Sequence, residues 1–173
     1  MHETSLATVV DLLRLFEAAD LEVWLDGGWA VDAVLGEQTR AHRDLDIILR
    51  ASDLGRLGEI LRARGFTVVG RSTGANVVLR NSVGHEVDAH AVTFDDDGHG
   101  AFPMENASPW VFPASAFGGR GLVGGVAVRC MTAEAQVMCH DQGYELAEKD
   151  FSDMEHLRAR FGVELPERLR RTR

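Results

Sequence analysis

The stretch Asp44-Leu45-Asp46-Ile47-Ile48-Leu49 constrains the fold more than any other part of the chain. Residues 45–49, alternating with Asp44 and Asp46, read as a strand, in which successive side chains point to opposite faces. Asp44 and Asp46 then share one face, about 7 Å apart along the chain. Two carboxylates side by side at the edge of an apolar strand repel one another, which raises a pKa or costs stability unless a cation lies with them. Mg²⁺ suits such a pair because it takes hard oxygen ligands, typically one or two carboxylates plus substrate phosphates. A solvated strand end carrying two acids is the bland reading of the same residues.

The flanking pattern makes this strand part of an α+β domain. Leu6, Val9, Val10, Leu13 and Phe16 fall at helical spacing over residues 5–19, with Thr4 or Ser5 as N-cap. A short strand over 21–25 ends at Asp26-Gly27-Gly28, and residues 29–35 are helical in period up to the natural C-cap Gly36. A helix capped by Ser52 runs to Arg64 and stops at Gly65. Strands follow over 66–71, 76–81 and 85–93, with Gly74 and Gly84 at the turns. Residues 94–125, rich in Gly, Pro and Asp, read as a long irregular stretch, either a substrate-binding loop or a mobile insertion. A last strand over 126–130, a helix from Thr132 to about His140 and another over about 149–161 complete the order. The basic run from Glu167 to Arg173 reads as a frayed, solvated tail. Strands without helices between them favour a mixed sheet with helices on one side over a doubly wound parallel sheet. The expectation is a single domain over 1–173, with a core over about 1–130 and a C-terminal helical segment over about 131–165.

Two further features share the chemistry implied by Asp44 and Asp46. Gly27 and Gly28 sit on a strand-to-helix turn, where backbone N–H groups can approach a triphosphate and the helix dipole favours an anion. In Glu86-Val87-Asp88-Ala89-His90, the residues Glu86, Asp88 and His90 share one strand face. Asp88 is a candidate third carboxylate, reaching the metal site or serving as general base toward an attacking hydroxyl. Arg40, His42 and Arg43 precede the Asp pair and are placed to balance triphosphate charge, Arg40 foremost, since guanidinium forks match phosphate oxygens.

Charge and composition narrow the partners. The net charge is −9, with 27 acidic residues against 18 Lys and Arg. A phosphate-tracking nucleic-acid binder needs a basic surface, so a polymeric nucleic-acid substrate is disfavoured. No apolar run approaches the ~20 residues that span a bilayer. Met1-His2-Glu3-Thr4 lacks the basic start of a signal peptide, and Cys130 and Cys139 form no disulfide framework or four-ligand zinc pattern. A reducing cytoplasm is the expected setting.

Taken together, a Gly-Gly turn, an Asp-x-Asp strand and a later Asp resemble the polymerase-β-like nucleotidyltransferases. The run from Trp24 through Gly36, continued by Gln38-Thr39-Arg40-Ala41-His42-Arg43-Asp44-Leu45-Asp46, is similar to the small lincosamide nucleotidyltransferases and to the aminoglycoside 2″-adenylyltransferases. Similarity to the lincosamide group continues at Val87-Asp88-Ala89-His90, Asp96-Asp97-Gly98, Ala133-Glu134-Ala135-Gln136 and His140-Asp141-Gln142-Gly143-Tyr144-Glu145-Leu146. The resemblance implies Asp44 and Asp46 as metal ligands, Asp88 as base, ATP or another nucleoside triphosphate as donor, a drug hydroxyl as acceptor, and a fold unit often found as a homodimer. Lys149 opens a Lys-Asp-x-x-Asp helix start like that of many relatives, which places it near the donor phosphates. Asp150 and Asp153 are read as capping and structural groups.

The remaining residues leave alternatives open. Trp29 is read as core, and Asp32 either orients a ligand or binds Arg40 or His42. Trp110, Phe112 and Phe117 either wall an apolar acceptor pocket beside Asp95, Asp96, Asp97 and Glu105 or anchor their loop. The expected reaction is Mg²⁺-dependent transfer of a nucleoside monophosphate to a small hydroxylated antibiotic, a lincosamide ahead of an aminoglycoside. A transferase acting on tRNA or protein is the rival enzyme, and a silent nucleotide- or partner-binding module is the rival from another class.

Overall fold

The computed structural model describes residues 3–71, 74–105, 107–142 and 145–171. The parts of the expectations above that fall on Met1, His2, Gly143, Tyr144, Thr172 and Arg173 lie outside the described residues.

The backbone is a mixed, nine-stranded sheet. Its strands are β1 (Val23–Leu25), β2 (Asp44–Arg50), β3 (Thr67–Arg71), β4 (Asn76–Arg80), β5 (Glu86–Phe94), β6 (Gly100–Phe102), β7 (Trp110–Phe112), β8 (Gly119–Val123) and β9 (Val126–Cys130). The main path runs β3-β4-β5-β2-β1-β9-β8, and β6 with β7 forms a ribbon hung on the end of β5. The central pair, β2 and β5, is parallel, as is β1 with β9, while β4 and β5 are antiparallel. Helices α1 (Leu6–Ala18), α2 (Gly27–Leu35), α3 (Leu54–Arg62), α4 (Ala133–Asp141) and α5 (Glu148–Phe161) complete the fold. Among the described residues no helix is long and apolar enough to cross a membrane.

Alternation along the strands decides what each face holds. Leu45, Ile47 and Leu49 of β2, with Val87, Ala89 and Ala91 of β5, turn into a main core closed by α1, α2 and α3. Phe16 of α1, Trp29 of α2 and Leu61 of α3 are its large buried contributions from the helices. Opposite lies a smaller cluster built from Trp24, Ile48, Val92, Phe112, Phe117 and Met131. A third cluster joins Val31 of α2 to Val137 of α4 and Met154 and Leu157 of α5. Helix ends follow their local signals: Ser5 accepts from the N–H of Thr8 at 3.2 Å, and Thr132 from that of Ala135 at 3.3 Å. Gly36 closes α2 in the left-handed region at φ 80°.

Two expectations fail. Residues 94–125 are no irregular loop: they carry β6, β7, a 3-10 turn over Ala114–Gly118 and the whole of β8. The short strands escaped detection because each is only a few residues long and punctuated by Gly or Pro, which masks a period of two. Phe112 and Phe117 are each 8% exposed, and Phe117 meets Trp24 edge-on at 5.5 Å and accepts from its indole N–H at 3.0 Å through the backbone carbonyl. These rings anchor the segment, the second of the two readings open for them; Trp110 is half-buried against Phe112.

The C-terminal run is not a frayed tail either. Residues Glu167–Leu169 form a 3-10 turn, Leu169 is fully buried in the third cluster, and Arg170 donates from Nε to the Leu165 carbonyl at 2.7 Å. One apolar residue among the arginines carries this packing, and charge counting overlooks it. Leu169→Ala is expected to cost about 2–5 kcal/mol, the usual range for emptying a buried leucine site. Urea unfolding measures this, and an unchanged midpoint contradicts the packed tail.

Candidate active site

The parallel register of β2 and β5 sets Asp44 beside Glu86, Asp46 beside Asp88 and Ile48 beside His90. Their apolar neighbours turn into the main core, so the acids and His90 emerge on the other face. Ligand atoms of Asp46, Asp88 and His90 lie within 4.8 Å of one another. Asp44 accepts two hydrogen bonds from Arg43, at 2.6 and 3.1 Å, and stands at the rim of the group. Glu86 is engaged by Arg80, whose Nε donates to it at 2.8 Å.

Glycine is required at the turn because acids and rings fill the space around it. Gly27 has φ 58°, and a Cβ there would lie 2.5 Å from Asp46 Oδ2. A Cβ on Gly28 would lie 2.3 Å from His42 Nδ1 and 2.6 Å from the Arg40 guanidinium. The turn is pinned on both sides: Asp26 donates from its backbone N–H to the Asp46 carbonyl at 3.0 Å, and its carboxylate accepts from Gln136 Nε2 at 2.7 Å. Neither Asp26 nor Gln136 was singled out in the sequence as a site residue. Asp26 stands immediately before Gly-Gly, whereas Gln136 lies on α4, 110 positions away.

Asp26, Gly27, Gly28, Asp44, Asp46 and Asp88 line a cavity of about 780 Å³ in which negative charge predominates. Asp46 is pushed well above the ordinary carboxylate value, first by withdrawal from water and then by the charges of Asp44, Asp26 and Asp88, with Lys149 opposing. Asp88 is also raised, chiefly by burial, although the charge of His90 and a hydrogen bond from Asn76 work against the shift. A group of hard oxygen donors that its own neighbours prevent from ionising comfortably is a fit host for a divalent cation.

The cationic wall differs from expectation at one position. Arg40 lines the cavity, yet its Nε donates to both Asp153 oxygens at 3.0 and 3.2 Å and one terminal nitrogen to Asp153 at 2.6 Å. Its other terminal nitrogen donates to the Ala41 carbonyl at 3.1 Å. Arg40 is thus a strut from the loop before β2 to the buried Asp153 of α5. Lys149, 60% exposed and 3.9 Å from Asp150, remains a solvent-facing cation on that wall. Asp150 caps α5 by accepting from the Ala147 N–H at 2.7 Å.

Asp32 binds His42, the second of the options open for it, and also accepts from the Thr39 N–H at 3.0 Å and hydroxyl at 2.7 Å. Burial works to raise its pKa, but the bonds from His42 and Thr39 outweigh burial and hold it below the ordinary value. One buried carboxylate therefore shapes the whole loop that delivers Arg40 and His42. Trp29 is core, as expected, and lies 4.7 Å from the His42 ring.

The fold and these carboxylates define a nucleotidyltransferase of the polymerase-β-like class. The family model for aminoglycoside-2″-adenylyltransferases matches residues 8–157, and the chain belongs to that family. It is 30% identical over 148 residues to a lincosamide resistance protein of Staphylococcus haemolyticus, covering 86% of this chain and 91% of that one. It is 28% identical over 136 residues to a 2″-aminoglycoside nucleotidyltransferase of Escherichia coli, covering 78% and 72% of the two chains. Among solved structures, a lincomycin-bound lincosamide antibiotic adenylyltransferase superposes with a TM-score of 0.81 at 28% identity, over 91% of this chain and 99% of that one. An aminoglycoside enzyme, ANT(2″)-Ia with adenylyl-2″-tobramycin, shares the fold with a TM-score of 0.71 at 22% identity, over 90% and 88% of the two chains.

A raised carboxylate pKa in the folded state is a stability penalty that is full above the raised value and fades as pH falls through it toward the ordinary one. Asp46→Asn is accordingly expected to raise the melting temperature of the metal-free protein at neutral pH and to flatten its rise toward mildly acidic pH. Added divalent cation should stabilise the parent and leave the variant unmoved. Calorimetry checks all three, and a variant less stable than the parent in chelator contradicts the electrostatic reading.

Proposed function

We propose that this chain transfers a nucleoside monophosphate, AMP from ATP, to a hydroxyl of a lincosamide-type drug. The observation that carries the acceptor class is the lincomycin-bound structure, which matches this chain over nearly its own full length. The 30% identity with a lincosamide resistance protein supports the same choice. The proposed setting is the cytoplasm, which supplies both ATP and Mg²⁺.

In this reading the divalent cation is Mg²⁺, held by Asp44 and Asp46, and when bound it supplies positive charge to the donor triphosphate. Lys149 adds charge from the opposite wall, and the turn at Gly27 and Gly28 lets backbone N–H groups approach the phosphates. Arg40 acts on the donor through its hold on the loop and α5. Asp88 receives the proton of the acceptor hydroxyl as that oxygen forms its bond to the α-phosphorus. The bond from the α-phosphorus to the bridging oxygen breaks on the opposite side, and pyrophosphate leaves with the electron pair. The raised pKa of Asp88 suits a proton acceptor, since a stronger base takes the proton more readily.

Mass spectrometry of lincomycin and clindamycin incubated with the protein, Mg²⁺ and ATP tests the acceptor. A nucleotidyl adduct on either drug is expected. An adduct on aminoglycosides alone moves the acceptor to that class, and one on tRNA or protein alone overturns the small-drug reading. ATP binding without pyrophosphate release for any acceptor favours a silent module. Asp88→Asn is expected to lower turnover about 10²–10⁴-fold, the range for loss of a general base, with smaller effects on nucleotide affinity. Asp46→Asn should abolish turnover at saturating Mg²⁺, and substantial remaining activity removes Asp46 from the ligand set.

A further inference from the structure

Asn76 opens β4 directly opposite His90 of β5 and is 7% exposed. Its Nδ2 lies 2.5 Å from Asp88 Oδ1 and 3.3 Å from His90 Nδ1. His90 Nε2 is 3.6 Å from the same Asp88 oxygen, and the ring stands edge-on to Phe102 at 5.6 Å. Nothing in the sequence points to Asn76, because its relation to Asp88 exists only through the antiparallel pairing of β4 and β5.

Hydrogen-bond chemistry assigns the rest. A carboxylate only accepts, so the amide must present its NH₂ group to Asp88, which fixes the orientation of the Asn76 side chain. That same NH₂ faces His90 Nδ1 and has no lone pair to offer, so Nδ1 must be the accepting nitrogen. A neutral imidazole that accepts at Nδ1 carries its hydrogen on Nε2. His90 Nε2 then lacks the lone pair a metal ligand needs, although it lies in the same group as Asp46 and Asp88.

We propose that Asn76 is a positioning residue that occupies Asp88 Oδ1, leaves Oδ2 to take the acceptor proton, and fixes His90 as an Nε2–H donor, not a metal ligand. This rests on Asp88 being the base of the reaction proposed above. The His90 Nε2–H then faces Asp88 Oδ1, 3.6 Å away, so His90 steadies the base while Asp46 serves the donor side.

Long-range ¹H–¹⁵N correlation spectra of the ¹⁵N-labelled protein at about pH 8, above the ordinary imidazole value, identify the tautomer, with His90→Gln providing the assignment. The Nε2–H pattern is expected in the parent protein; the Nδ1–H pattern overturns the proposal. Electron spin-echo measurements on the Mn²⁺-loaded protein should show no nitrogen modulation that His90→Gln removes, and such a modulation makes His90 a ligand and overturns it as well. Asn76→Ala and the isosteric Asn76→Asp should each lower kcat about 10–100-fold, as loss of an outer-shell partner does, with KM for the nucleotide within about twofold. Parent-like kcat in a folded Asn76→Ala contradicts the positioning role. If Asp88→Asn retains full turnover, the base assignment falls and takes the purpose of Asn76 with it, while the spectra still decide the tautomer independently.

Discussion

Asp46 and Asp88 face each other across a parallel strand pair that gains nothing from having them there. Their mutual repulsion, added to that of Asp44 and Asp26, is overcome by what happens on the reverse side of the same strands. Leu45, Ile47 and Leu49, with Val87, Ala89 and Ala91, are almost wholly withdrawn from water there. Burial of that surface, at roughly 25 cal/mol per Å², holds the two backbones in register and with them the carboxylates. The site is thus the unfavourable face of a favourable sheet, a cost that function imposes on an otherwise consistent fold. Near the cavity, Gly27 tolerates that charge by having no side chain, and Lys149 opposes it.

The second theme is how few polar groups organise the surroundings. Asp32 gathers Thr39 and His42, Asp153 takes the fork of Arg40, and Asp26 takes the amide of Gln136. Each of the three is an acid on a helix or turn that catches a partner from a loop or from the C-terminal helices. At Asp32 the bonds from His42 and Thr39 outweigh burial, so its ionised form is favoured. Asp46, withdrawn from water among neighbours of its own sign, is pushed the opposite way.

Much of this was legible in the chain. Asp-x-Asp on an apolar strand, Gly-Gly on a strand–helix turn and Asp88 on a later strand all announce themselves through a period of two and through glycine placement. The helices followed from apolar spacing and caps, as Ser5, Thr132 and Gly36 illustrate. What stayed hidden depends on pairing between distant elements. Arg40 reads as a phosphate ligand until Asp153 is seen to hold its fork, and Phe112 and Phe117 stay undecided between pocket wall and anchor until Trp24 is found beside Phe117. Asn76 carries no signal at all, since one asparagine at a strand start is ordinary until His90 and Asp88 lie across from it. Leu169 shows the reverse error, a single apolar residue outweighed in the reading by the charges around it.

The contact between β1 and β9 has a consequence for how the molecule comes into being. β1 lies between β2 and β9, so a strand near the start of the chain pairs with one about a hundred residues later. Arg40 and Asp153 are 113 positions apart, and Asp26 and Gln136 are 110 apart. Contacts of such sequence separation form late, because the chain must give up the freedom of a long loop before they repay it. During synthesis the acids of β2 and β5 leave the ribosome well before the segments that fasten the turn and loop around them. The nascent polypeptide therefore passes through a stage in which both acidic strands have been made and the α4 and α5 side of their cavity has not.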